Sequence, residues 1–356
     1  MPQTGSSIYI HVPFCTKKCA YCNFYVIPDQ ERYKQLYLSA LKQEFIFRPP
    51  PSDPVSIYFG GGTPSLLGSD KISEILSLLN YNPSTCEITL EANPEHLTKS
   101  LMQEYANTGI NRVSLGVQSF DNKQLIRLTR SHTATTAESA IENTLASGIE
   151  NISIDLMYDL PLQTLESWQQ SLIKATSLPI RHLSLYNLTI EPHTSFGKNP
   201  PTQPTQELSL QMLELAISHL EAHNFKRYEI SAFAHPGYES KHNIGYWTGR
   251  PFLGYGPSAF SYWNGARFRN ISNLNRYARA LNAAEDPVDF TETLPKEEQE
   301  RERLAIELRL MRGVKPSTLL DPLIKEGFCE HHENRVRLTE KGKLFYDSVG
   351  EMIITC

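Results

Sequence analysis

From residue 8 onward, short and nearly continuous apolar runs alternate with longer stretches in which apolar residues recur every three or four positions. The first run, 8–12, predicts a strand, and the periodicity over 31–47 predicts a helix that the triple proline at 49–51 ends. The alternation then repeats: strand 55–59 and helix 71–79, strand 87–90 and helix 99–108, strand 112–117, strand 152–156 and helix 165–176. Strand 183–187 and, past a long loop, helix 206–223 complete the series. No hairpin signal joins these six strands. Six βα units connected right-handedly predict an α/β fold with a parallel sheet, curved into a closed or partly closed barrel.

The pattern changes at 189–205, where Pro192, Pro200, Pro201 and Pro204 mark a surface excursion or boundary. Residues 227–269 are rich in glycine and aromatics and read as turns and short strands rather than helix. Beyond them lie a patterned helix at 298–311, a second helical piece at 319–326 and the hairpin-like CEHHENRVRLTEKG, a winged-helix outline. This last part carries no concentrated basic face and reads as a packing module, with His331 and His332 solvated on its wing. The divisions expected are 1–205 for the barrel with its site, 206–290 for a barrel-completing helix and β-rich extension, and 291–356 for a small winged-helix-like domain.

With 356 residues, 40% of them hydrophobic, the chain can bury a large core. Its 34 basic and 39 acidic residues give a net charge of -5, so no nucleic-acid partner is expected. The start, MPQTGSSIYI, lacks the features of a signal peptide, and no stretch approaches the ~20 apolar residues of a membrane span. The expected location is cytoplasmic, with peripheral attachment to a membrane compatible. In that reducing compartment a tight cysteine group favours metal or redox chemistry over disulfides.

Such a group exists: Cys15, Cys19 and Cys22 fall within eight residues, whereas Cys86, Cys329 and Cys356 are scattered and read as structural or incidental. Structural zinc takes four ligands, and no second CxxC is present. A cubane 4Fe-4S cluster fits three thiolates and keeps one iron open to a reacting ligand. Lys17 and Lys18 are expected to lower the thiol pKa values. Gly60, Gly61 and Gly62 follow a strand directly, where missing side chains let a ligand approach the backbone. Glu91, Gln118 and Asp155 stand at or near strand ends, on the barrel face that carries chemistry. Glu91 or Asp155 suits ribose hydroxyls or an amino group, and Arg130 suits a carboxylate. Glu91 also suits a turn cap, and Arg130 a charge at a helix end.

CxxxCxxC followed by YFGGGTPS at 58–65 resembles the radical S-adenosylmethionine superfamily over nearly the whole chain. The resemblance implies a partial (β/α)6 TIM-type barrel and a 4Fe-4S cluster on Cys15, Cys19 and Cys22. It also implies S-adenosylmethionine chelating the open iron, and an electron donor for the cluster. Tyr9, Tyr21, Gly61, Gly62, Thr63, Glu91, Gln118, Arg130 and Asp155 match its cofactor-contacting positions. YEISAFA at 228–234 and HNIGYW at 242–247 resemble the HemW family of heme chaperones, relatives of the oxygen-independent coproporphyrinogen III oxidase.

That second resemblance implies heme as cargo on His242, Asn243, Tyr246 and Trp247, with His242 as iron ligand. It also implies an acceptor hemoprotein, membrane-associated acceptors included. A neutral imidazole suits heme iron and aromatic rings suit a porphyrin face, although a histidine beside Tyr and Trp serves equally in packing. The oxidase carries a fourth cysteine in CxxxCxxCxC and a longer leader. Here Phe24 stands at that position and fourteen residues precede Cys15. Heme transfer is therefore the leading expectation and radical decarboxylation of coproporphyrinogen III the alternative. Enzymatic activity stays undecided between them, with no catalytic residue assigned. Asp159 replaces a common glycine of the family, at a turn that aspartate tolerates, and Ala232 a common asparagine. A homodimer bridged by an exposed cluster is also compatible.

Overall fold

The computed structural model describes residues 5–355. Cys356 and the first four residues of the amino-terminal segment lie outside them. Six parallel strands run in chain order: β1 (Ser7–Val12), β2 (Ser56–Gly61), β3 (Glu87–Ala92), β4 (Arg112–Gln118), β5 (Asn151–Tyr158) and β6 (His182–Asn187). Beyond β6, an antiparallel hairpin of β7 (Lys226–Glu229) and β8 (Ala232–Ala234) pairs through β8. On the other side β9 (Phe252–Tyr255) joins β1 in parallel, followed by an antiparallel meander of β10 (Phe260–Trp263), β11 (Ala266–Asn270) and β12 (Val288–Thr293). β1 never meets β6, so the barrel is partial and the sheet, of twelve strands among the described residues, stays open.

The strand sequences explain both faces of this sheet. Ile8, Ile10, Ile57, Phe59, Ile88, Leu90, Val113 and Leu115 alternate onto one side and join helix residues such as Tyr37, Leu41 and Met102 in a continuous apolar core. The opposite positions are polar. Strand register sets Tyr9, Tyr58, Thr89 and Arg112 in one row across the barrel interior, then Glu91, Ser114 and Ser153 in the next, and aligns Asp155 with Ser184. The interior is thus polar because alternate strand residues are. The outer helices begin at threonine caps, among them Thr98, Thr133, Thr164 and Thr205, whose hydroxyls accept first-turn amides.

Two expectations need correction. The segment after β4 carries helices Asn122–Arg127 and Ala134–Ala146, for which no periodicity was assigned. The HNIGYW stretch lies on a helix, Lys241–Trp247, not on a turn or strand. Ser240 caps that helix by accepting from the Asn243 amide, and Glu87 of β3 accepts the amides of Lys241 and His242. A long-range carboxylate therefore makes a helix that local propensity does not announce. Asp159 does adopt the left-handed backbone, with φ 61°. Ala232 is buried in β8.

Residues 296 to 355 form helix Lys296–Glu307, a short helical step at Thr318–Leu320 and Asp321–Lys325, and a hairpin of β13 (Cys329–His332) and β14 (Arg335–Leu338). Helices Glu340–Leu344 and Tyr346–Thr355 follow. They share a separate small core of Leu304, Leu308, Val336, Leu338, Val349 and Ile353. His331 and His332 are exposed.

Candidate cofactor site

The loop after β1 carries Cys15, Cys19 and Cys22 to the mouth of the barrel, where they line one cavity of about 590 Å³ with Tyr21, Gly61, Gly62, Thr63, Glu91, Gln118, Arg130 and Asp155. Backbone pairing holds the loop to the next turn: the Gly62 amide donates to the Val12 carbonyl (2.9 Å) and the Thr63 amide to that of Phe14 (2.7 Å). A Cβ at Gly62 would stand 2.6 Å from the Phe14 carbonyl oxygen, and Gly61 takes φ 114°. Only glycine lets the two loops approach this closely.

The thiols sit among polar partners. Cys15 Sγ lies 3.5 Å from Thr63 Oγ1, and Arg130 Nη1 donates to Cys19 Sγ at 3.4 Å. Burial pushes the Cys15 thiol up to about 11 and raises that of Cys22, outweighing the nearby Lys18. At these two thiols burial exceeds the lowering expected from the lysine pair. Thiolate ligation here has to be driven by the group that binds. Among the described residues no three His, Cys, Asp or Glu side chains are gathered to hold a single metal ion. A cubane places three thiolates on three separate irons rather than three on one, so the donor set fits a cluster. Arg130 also has a buried Nε without partner, the kind of donor an anionic ligand satisfies.

Across the cavity, Glu91 accepts from Tyr58 Oη (2.7 Å) and from the Gly61 amide (3.2 Å). Burial raises its carboxyl to about 7, and that of Asp155 to about 6, with Ser184 bonded to the latter. Gln118 closes β4 with φ 66°, beside a register shift. Two contributors escaped the sequence reading. Asn93 donates to Thr63 Oγ1 (3.0 Å) and accepts from Arg130 Nη2 (2.7 Å), and Thr129 accepts the Ala20 amide at 3.0 Å. Asn93 lies two positions past Glu91, so its place at the strand end was a readable signal. Phe24 is 63% exposed and lines the same cavity.

The structure does not bring every predicted residue here. Tyr9 lies outside the cavity lining: its hydroxyl bonds His11 Nδ1 (3.1 Å) and its ring stacks beside Tyr58, one layer below. His242, Asn243, Tyr246 and Trp247 lie outside it too, and Tyr246 and Trp247, half-buried, line a separate cleft with Phe252 and Arg303. His242 is 1% exposed, with Nδ1 on Ser56 Oγ (2.9 Å) and Nε2 on Tyr246 Oη (2.8 Å). Burial, then the charges of Arg250 and Arg112, hold its pKa at about 3, so the ring is neutral. In this conformation neither nitrogen is free to bind iron. Trp247 faces the Arg309 guanidinium at 4.3 Å.

A partial parallel barrel with three thiols and a glycine turn at its mouth defines a radical SAM protein, and residues 9–174 match the Radical SAM superfamily. The chain is 35% identical to the heme chaperone HemW of Bacillus subtilis (strain 168), covering 96% of this chain and 97% of that protein. It is 32% identical to the HemW of Escherichia coli (strain K12), covering 98% of each. The chain belongs to the HemW family. Its fold also matches coproporphyrinogen III oxidase (HemN) from Escherichia coli, with TM-score 0.86 and 23% identity over 100% of this chain and 91% of that one. No helix among the described residues is long and apolar enough to cross a membrane.

Proposed function

We propose that the protein binds heme and transfers it to an acceptor hemoprotein while carrying a 4Fe-4S cluster and S-adenosylmethionine. Cys15, Cys19 and Cys22 would hold the cluster. Glu91, Asp155 and Arg130 would bind the polar groups of the cofactor, with Gly61, Gly62 and Thr63 giving it backbone access. When bound and reduced, the pair supplies one-electron chemistry. This chain's residues hold the ligand, shape its charge and limit water.

One observation supports the reading above others: His242 of the HNIGYW helix stacks on the Tyr58 ring at 4.7 Å, and Tyr58 donates to Glu91 of the three-thiol cavity. Ligation of heme iron by His242 requires the ring to leave Ser56 and Tyr246, so loading involves displacement of helix Lys241–Trp247. The test is an anaerobic heme titration of cluster-reconstituted protein and of His242→Ala, read by the Soret band with iron and sulfide content. Saturable binding lost in the variant, with the cluster retained, supports the reading. Binding absent from the wild type rejects it.

The intact three-thiol cavity favours one further reading, oxidative decarboxylation of coproporphyrinogen III. Anaerobic incubation with reductant and S-adenosylmethionine would then yield protoporphyrinogen IX. Turnover no higher than that of a Cys15→Ala control rejects it.

A further inference from the structure

A second cleft, of about 410 Å³, opens between the ends of β5 and β6, the β7–β8 hairpin and the segment after Lys343. Tyr186 and Asn187 line both this cleft and the cysteine cavity, so the two share a wall. Its lips are apolar: Tyr186 and Phe345 expose large aromatic surfaces to solvent. Its inner side carries Arg227 and Arg309, the latter paired with Glu229, and Lys343 and Asp347 also line the cleft. Arg227 donates through Nε and Nη2 to the Ile230 carbonyl and forms no ion pair among the described residues. Burial lowers its pKa in spite of the carboxylates of Glu229, Glu340 and Glu221 nearby. Arg309 lies between the rings of Trp247 (4.3 Å) and Tyr346 (4.9 Å). One of its nitrogens reaches Glu229 and Ser231 at 3.3 Å each, and its Nε is buried without a partner.

Aromatic lips over two guanidiniums suit a flat apolar ring with acidic substituents. We propose that this cleft is a separate binding site for an anionic tetrapyrrole, whose carboxylates engage Arg227 and Arg309 while its ring lies between Tyr186 and Phe345. The identity of the ring rests on the tetrapyrrole reading above, but the site needs no iron. A ligand held there lies beside the cofactor cavity at one end and reaches the guanidinium that covers Trp247 at the other.

The test uses full-length protein and a metal-free porphyrin with two propionates, followed by fluorescence, against the same ring with both propionates capped as amides. The wild type should bind the diacid saturably and the diamide weakly. Arg227→Gln should weaken the diacid roughly tenfold or more, leave the diamide unchanged, and be partly rescued by Arg227→Lys. Arg309→Lys should shift the diacid in the same direction. Should Arg227→Gln fail to fold, the wild-type preference for diacid over diamide and the Arg227→Lys affinity decide. Equal binding of both rings, or diacid affinity unchanged in Arg227→Gln and Arg309→Lys, overturns the site. Porphyrin binding that depends on Arg227, without any heme binding by the wild type, leaves the cleft standing and removes the chaperone reading. The reverse pattern removes the cleft alone.

Discussion

The imidazole of His242 stacks on the phenol of Tyr58, with ring centroids 4.7 Å apart and 30° between the planes, and that phenol donates to Glu91 at 2.7 Å. A residue of the HNIGYW helix thus presses on the side chain that orients a carboxylate of the cofactor cavity. Tyr58→Phe keeps the stack and removes the donor. S-adenosylmethionine affinity, measured by anaerobic equilibrium dialysis, should fall roughly tenfold, the worth of one hydrogen bond to a charged group. The Glu91 carboxyl should also rise further, since the Tyr58 bond is among the effects lowering it. Unchanged affinity at every pH would remove Tyr58 from the site's support.

The two raised carboxyls give a pH dependence of defined sign. Glu91 stands at about 7 and Asp155 at about 6, against ordinary values of 4.5 and 3.8, so the folded state binds protons the unfolded state has lost. Their contribution to stability is full below the ordinary values and is lost as pH rises through 6 to 7. Cofactor-free protein should therefore melt lower at pH 8 than at pH 5 on their account. Glu91→Gln should flatten this slope and raise the melting midpoint at pH 8 by about 2–4 °C. Calorimetry across that range checks it, and a slope unchanged by the substitution would refute the assignment.

Gly62→Ala tests the close approach of the two loops. The new methyl group would meet backbone atoms of Pro13 and Phe14, which cannot rotate away as a side chain can. The cysteine loop must shift instead. Iron and sulfide content after reconstitution should drop well below that of the wild type, while far-ultraviolet circular dichroism stays unchanged. Full cluster content would show that the loop has slack.

Much of the fold was legible because it depends on local periodicity. The six parallel strands, the helix beginning at Glu31 and the cysteine loop after β1 all announce themselves within a few residues. What the sequence hid is long-range. Nothing near Glu87 says that its carboxylate starts a helix 154 positions later. Nothing in HNIGYW says that both His242 nitrogens are taken by Ser56 and Tyr246. Tyr9 is expected at the site through the superfamily resemblance, not through the pattern of its own strand. Its alternate row lies one layer too deep. Asn93 was legible and overlooked.

Glu44 ties the amino-terminal helix to the extension. Its buried carboxylate accepts from the Gly256 amide (2.8 Å), Tyr277 Oη (2.5 Å), Asn270 Nδ2 (2.6 Å) and Arg48 Nη1 (3.1 Å). Glu44→Ala strands these donors and should cost about 3–5 kcal/mol in denaturant unfolding. Glu44→Gln, which keeps an acceptor, should cost less. A loss below about 1 kcal/mol for the alanine variant would mean that solvent replaces the carboxylate.

β1 is flanked on one side by β2 and on the other by β9, which ends at Tyr255. The strand that presents the cysteines keeps an open edge until β9 has been made and paired. The binding loop is early in the message and late in the fold. A chain cut between β6 and β9 would carry the three cysteines on a strand with one edge unpaired.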